Sequence, residues 1–279
     1  MSTASADEID GIPVRWVTAG TPVGVALWLT HLGGSAEQTE PMLTRLADRG
    51  VLAVSFDPPG HGRRSNGRDP MELGREVLGA FRRRMWPLAG TTVLEALRVL
   101  DWADQEFGVV GPRVAGGVSM GGDIAVALAG IDERITRVAA LVATADWTRP
   151  GMRELGDDQV VLSQGDADSY AQWFYDAFDP ITHLDNFRRD LAIKFLCGAN
   201  DLHVPAEAAL RFQAALGERV QVELFDGLDH LDAARDERLY TAALEWLTIS
   251  VADAGPSGQQ ASGRRRGGAH EGGEGGALP

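Results

Sequence analysis

The sequence predicts an α/β fold, a mostly parallel central sheet with helices on both faces. Three observations carry that reading. Short apolar, β-branched runs recur at 25–30, 51–56, 114–118, 138–142, 193–197 and 220–225. Helix-length segments separate them, so consecutive strands need crossover connections, and the sheet they build is parallel and covered on both sides. The third run ends in Gly117-Val118-Ser119-Met120-Gly121, a sharp turn from strand into the small-residue helix that follows.

Taken in order, residues 13–17 and a segment over 23–26 supply an antiparallel opening. Helical spacing marks 37–49, 93–107, 122–130, 206–216 and 236–251. Thr92 with Glu95 has the form of a capping box, and Gly108 closes that helix. Two stretches break the alternation. Residues 57–88, with Gly60-His61-Gly62-Arg63-Arg64 and Arg82-Arg83-Arg84-Met85-Trp86, read as a pocket wall. Residues 146–190, between the fourth and fifth parallel-type strands, exceed the usual connection and hold Trp147, Tyr170, Trp173, Phe174, Tyr175 and Phe178. Two readings stand for them. One is a small cap at the carboxyl ends of the strands, where open α/β sheets bind ligands; the other is a crossover helix with an aromatic packing face.

With 279 residues and 44% hydrophobic content, one large core is affordable by size alone, so a single domain is expected. Its expected limits are 13–251, with the cap at about 146–190, an N-terminal extension over 1–12 and a disordered Gly-, Ser-, Gln- and Arg-rich tail over 252–279. Arg264-Arg265-Arg266 in that tail read as solvated charge. A formal charge of −14 argues against a nucleic-acid partner. Lys194 is the only lysine, and the Arg, Ala and Gly excess reads as compositional bias. The single Cys197 falls in an apolar run and reads as a buried small hydrophobe, consistent with a reducing compartment. Residues 1–11 hold acidic residues and no long apolar stretch, so neither a secretory signal nor a membrane span is expected and the location reads as cytoplasmic.

The chemistry starts at Ser119. In a strand-to-helix turn of this form the serine is strained and lifted above the sheet edge, and glycines at 117 and 121 avoid collision with neighbouring backbone. A serine hydroxyl needs a base within hydrogen-bond reach, and the base needs an orienting acid. In this architecture the acid and then the histidine follow the serine in the chain. Asp201, in the loop after 193–197, is the expected acid. His230, after the last strand, is the expected base; His203 competes for the role but stands only two residues from Asp201. Acyl transfer also needs two donors for an oxyanion, and the N–H groups of Met120 and Gly33 are the candidates. His31 reads as a loop-bracing residue. Leu32, Trp147, Trp173 and Phe174 are the candidate substrate contacts. Arg63, Arg64 and Arg82 to Arg84 read either as an acid-binding group or as a solvated helix face.

His31-Leu32-Gly33-Gly34, Asp57-Pro58-Pro59-Gly60-His61-Gly62, the serine turn, Asp201-Leu202-His203-Val204-Pro205 and Asp229-His230 occur together in this order. Over residues 13–250 the chain thereby resembles the α/β-hydrolase superfamily. Within it the chain is similar to small bacterial serine esterases of the dienelactone-hydrolase-like and prolyl-oligopeptidase-like branch. The resemblance implies a Ser119, Asp201, His230 triad, a covalent acyl-enzyme, and no cofactor or metal. One departure stands out: where members usually have His-Gly, this chain has His31-Leu32.

The first functional reading is therefore a serine hydrolase cleaving a carboxylic ester, thioester or lactone of a small to medium, partly apolar molecule. The second is an acyltransferase or secondary-metabolism tailoring enzyme using the same triad. The third is a ligand-binding protein on this fold. Dehalogenation would want an aspartate at position 119. Substrate identity and oligomeric state stay open in the sequence, which allows a homodimer.

Overall fold

The computed structural model describes residues 4–253. In chain order its elements are β1 (Ser5–Ile9), β2 (Ile12–Val17), β3 (Val25–Leu29), α1 (Glu40–Ala47), β4 (Leu52–Phe56), α2 (Pro70–Leu78), α3 (Phe81–Phe107), β5 (Arg113–Val118), α4 (Met120–Ile131) and β6 (Ile135–Leu141). Then follow β7 (Arg153–Glu154), β8 (Asp157–Val161), α5 (Ser169–Phe178), β9 (Ala192–Gly198), α6 (Glu207–Leu216), β10 (Val220–Phe225), α7 (His230–Ala233) and α8 (Glu237–Asp253). Eight strands form one sheet in the order β1-β2-β4-β3-β5-β6-β9-β10, parallel from β4 to β10.

The period-two geometry of a strand explains why the central runs are apolar throughout. Along β3, Val25, Leu27 and Leu29 face the core under α3 and α4, while Ala26 and Trp28 face the one under α1 and α8. Both sets are buried. Each face alone would give an alternating sequence; burying both removes the polar half of the pattern.

Three expectations need correcting. The N-terminal boundary at residue 13 is too late, because β1 pairs antiparallel with β2 across Asp10-Gly11, both at positive φ (50° and 79°) as a two-residue hairpin turn requires. β1 is an exposed edge strand of mostly polar residues, so it has no apolar signature. The segment 23–26 is not antiparallel: β3 absorbs it and is parallel to both neighbours. Thr92 and Glu95 are not a cap but lie inside α3, where Thr92 Oγ1 donates to the Leu88 carbonyl at 2.7 Å and Glu95 pairs with Arg64 at 2.6 and 2.8 Å. That helix runs through Pro87, since Phe81, Met85, Trp86 and Ala89 form a buried stripe whose packing outweighs the lost N–H bond. Gly108, at φ 59°, closes it as expected.

The insertion between β6 and β9 has two parts with different roles. Helix α5 buries Ala171, Phe174 and Phe178 against the α3 side of the core, as a crossover helix does, and Tyr175 packs on Trp86 with ring centroids 4.5 Å apart. The β7–β8 hairpin instead reaches over the carboxyl ends of the strands. The tail expected over 252–279 lies, past the end of α8, outside the described residues. No described helix is long and apolar enough to cross a membrane.

Candidate active site

Ser119 stands between β5 and α4 at φ 54° and ψ −118°. A non-glycine residue there is strained by about 1–3 kcal/mol, and persists only where its surroundings over-determine it. They do so here: the Ser119 N–H donates to the Leu141 carbonyl at 2.8 Å, and the Ser119 carbonyl accepts from the Asp123 N–H at 3.0 Å. The flanking glycines are required by close approach. A Cβ on Gly117 would lie 2.6 Å from the Gly121 carbonyl carbon, and one on Gly121 would collide with the Leu29 carbonyl.

The structure brings Asp201 and His230 to this serine from two loops laced together beyond β9 and β10. The Ala199 N–H donates to the Phe225 carbonyl at 3.0 Å and the Asn200 N–H to the Leu228 carbonyl at 2.9 Å. Ser119 Oγ lies 3.2 Å from His230 Nε2, and His230 Nδ1 lies 2.7 Å from Asp201 Oδ2. The carboxylate accepts the Nδ1 proton, which leaves Nε2 as the acceptor for the serine hydroxyl. The second oxygen of Asp201 accepts the N–H groups of His203 (3.0 Å) and Val204 (2.7 Å), fixing the carboxylate plane. Asp201 and His230 are both buried.

The two expected oxyanion donors come from the start of α4 and from the loop after β3. Met120 opens α4, where the first N–H groups have no intrahelical acceptor and the helix dipole favours negative charge. Gly33 is the third residue of a turn closed by Gly34 N–H to the His31 carbonyl at 3.0 Å. Its φ of 81° is what that position of a type II turn demands. Leu32 therefore takes the place of the usual glycine without disturbing the residue that needs the positive φ.

A cavity of about 980 Å³ opens on Ser119 and His230. On one side of the sheet edge it is walled by Met71 and Leu78 of α2, Met85 of α3, and Leu155 at the hairpin turn; on the other by Pro41 and Met42 of α1 and Tyr240 of α8. The wall expected from 57–88 is thus present. Of the candidate substrate contacts only Leu32 lines the cavity. Trp147 is buried in the core, Phe174 is packed under α5, and Trp173 stands 57% exposed on the outer face of that helix. Aromatic content misled because Trp147 and Phe174 are used to pack the core and Trp173 faces away from the cavity. Arg82, Arg83 and Arg84 also lie away from the cavity: Arg82 bonds Gln164, Arg83 pairs with Asp168 and Arg84 with Glu76.

Two further cavity residues are His203, the rival for the role of base, and Arg149, to which the sequence assigned no role. His203 is buried beside His230 and its Nδ1–H donates to the Arg153 carbonyl at 2.8 Å; burial above all, with His230 and Arg149 nearby, pushes its pKa down to about 3. Arg149 is buried and ion-paired to Asp123. Nothing in Thr148-Arg149-Pro150 signals either contact, since each depends on distant segments.

The model of the prolyl oligopeptidase family matches residues 42–251. No curated protein matches the chain. Among solved structures, TT1662 from Thermus thermophilus is 24% identical, with a TM-score of 0.67 over 89% of this chain and 99% of that one. A cold-adapted esterase from an Arctic intertidal metagenomic library is 17% identical, with a TM-score of 0.57 over 89% of this chain and 93% of that one. A puromycin-hydrolyzing peptidase of Mycobacterium tuberculosis is 15% identical, with a TM-score of 0.63 over 89% of this chain but only 39% of that one. At these identities the structures establish the fold, and the family model, spanning most of the chain, establishes more: the protein belongs to the prolyl oligopeptidase family of the α/β-hydrolase superfamily.

Proposed function

We propose that the protein is a serine hydrolase cleaving a carboxylic ester of a small to medium, partly apolar molecule. The observation that carries this is the strained Ser119 with its hydroxyl 3.2 Å from His230 Nε2 while Asp201 holds the other ring nitrogen at 2.7 Å. In this reading Ser119 Oγ attacks the carbonyl carbon as His230 takes its proton. The Met120 and Gly33 N–H groups receive the oxyanion. His230 then protonates the leaving alcohol, and water, activated by the same imidazole, releases the acid. A cavity extending to both sides of the serine supports a substrate with substantial groups on the acyl and the alcohol side.

Membership of the prolyl oligopeptidase family favours a second reading, peptide-bond cleavage by the same three residues. Intact-mass measurement after exposure to a fluorophosphonate, with Ser119→Ala as control, tests the mechanism. Turnover of p-nitrophenyl esters against aminoacyl p-nitroanilides decides between ester and amide. An adduct on the wild type alone with ester turnover dominant is expected. No adduct on folded protein refutes the hydrolase reading, and dominant anilide turnover replaces the esterase with a peptidase.

A further inference from the structure

Arg149 is a buried cation at the site with donors to spare. It is 3% exposed, holds a positive φ of 40° and lines the cavity together with Ser119, His203 and His230. One of its terminal nitrogens donates to Asp123 Oδ2, and its guanidinium lies over the Phe81 ring, 5.2 Å from the centroid. Its buried Nε–H has no acceptor among the described residues. A guanidinium offers five N–H donors in a fixed fork, so a single carboxylate oxygen leaves most of them unspent. An ion pair built only to hold the fold would not need both a strained backbone and a buried donor without a partner.

We propose that Arg149 is a specificity-determining residue that hydrogen-bonds a neutral carbonyl oxygen carried by the substrate away from the scissile bond. The inference rests on the hydrolase reading above. Charge balance selects a neutral acceptor over a carboxylate. Asp123 is the countercharge of Arg149, its other oxygen being taken by the Thr144 N–H at 2.8 Å; burial raises the pKa of this carboxyl, and the Arg149 guanidinium and the Thr144 N–H oppose that rise. His203 is held neutral, and Asp201 adds a negative charge behind His230. A second anion placed at Arg149 would meet a cation already paired with Asp123, whereas a carbonyl oxygen completes the fork at no electrostatic cost; Arg75 of α2 and Arg235, just before α8, line the same cavity and are the cations that a carboxylate would meet elsewhere in it.

The test uses p-nitrophenyl alkanoates, the same chains with a keto group walked along them, and p-nitrophenyl hydrogen adipate as the carboxylate probe. These are run on wild type, Arg149→Lys, and the charge-balanced double variant Asp123→Asn/Arg149→Met, which remains informative if the single change unfolds the protein. Thermal melts confirm folding. In the wild type one keto position is expected to raise kcat/KM over the plain chain, mainly through KM. In the variants that ratio is expected to fall about 10–100-fold, the worth of one hydrogen bond to a charged group. A ratio unchanged in both variants, no preferred keto position in the wild type, or preference for the adipate half-ester each overturns the proposal. Fluorophosphonate labelling of the same wild-type sample separates the two failures: an adduct with a flat ratio refutes the role of Arg149 alone, and no adduct refutes both.

Discussion

The ring of His203 packs against that of His230, with centroids 4.9 Å apart and planes at 60°. Two neighbouring imidazoles compete for protons, and their partners set them apart: both rings are buried, but His230 has the Asp201 carboxylate and His203 only a backbone carbonyl. His203 donates its Nδ1–H to the Arg153 carbonyl, while the Arg153 N–H donates to the Leu202 carbonyl, both at 2.8 Å. The hairpin is thereby stapled to the loop that carries Asp201, and the proton-transfer role is left to His230.

That burial makes stability depend on pH. The folded-state pKa of His203, about 3, lies below its ordinary 6.5, so the unfolded chain binds the extra proton between those values. The corresponding stability is present above about 6.5 and is lost as pH falls. His203→Phe, which does not titrate, is expected to lose less stability than wild type between pH 7 and pH 4. At about 1.4 kcal/mol per pKa unit the difference is at most about 3 kcal/mol. Urea unfolding at the two pH values measures it; parallel losses in both proteins refute it.

Asp179 works in the opposite direction. Burial raises its pKa from 3.8 to about 7, with Asp146 also raising it, and its Oδ2 is buried without a partner. Here the folded state binds the extra proton, so the associated stability is present at low pH and disappears as pH rises through about 7. Asp179→Asn keeps an oxygen for the Trp147 N–H that Oδ1 now accepts at 2.7 Å. Relative to wild type it is expected to gain stability from pH 4 to pH 8, by at most about 4 kcal/mol, read from the same unfolding series. A gain that does not change with pH counts against this account.

The sheet and the three residues Ser119, Asp201 and His230 were legible because local signals encode them. Apolar runs name the strands, and glycine spacing names the turn whose crowding demands it. What stayed hidden depends on contacts between distant segments. Exposed β1 has no apolar period, α3 continues through Pro87 because its stripe packs on the core, and of the α5 rings that look like a cap Phe174 and Phe178 are core residues while Tyr170 and Trp173 face outward. The cavity side formed by α1 and α8 comes from helices nearly 200 residues apart, joined by the Arg45–Glu237 ion pair.

Asp201→Asn tests the orientation of the base. An amide at this position can present a donor to Nδ1, which forces the proton onto Nε2 and removes the acceptor for the Ser119 hydroxyl. A fall in kcat of about 10³–10⁴-fold is expected, with KM changed far less, from steady-state ester hydrolysis. Because Asp201 also accepts two backbone N–H groups, a melt on the same sample must show the loop still folded. A folded variant within 10-fold of wild type would mean that another group orients His230.

The two halves of the insertion make separable predictions about chain length. Leu155, at the turn between β7 and β8, lines the cavity, whereas Trp173 packs edge-on against Phe174 and Phe178, with centroids 5.0 and 6.1 Å away, and faces outward. Leu155→Trp adds bulk inside the space an acyl chain would occupy. Since each buried methylene is worth about 0.8 kcal/mol, excluding two of them lowers kcat/KM for the longer p-nitrophenyl esters by roughly 15-fold. The optimum then moves about two carbons shorter. Trp173→Ala is expected to leave that optimum where it is. If instead Trp173→Ala shifts the profile and Leu155→Trp does not, the aromatic helix moves over Ser119 during turnover, and the cavity described above is not the one the substrate occupies.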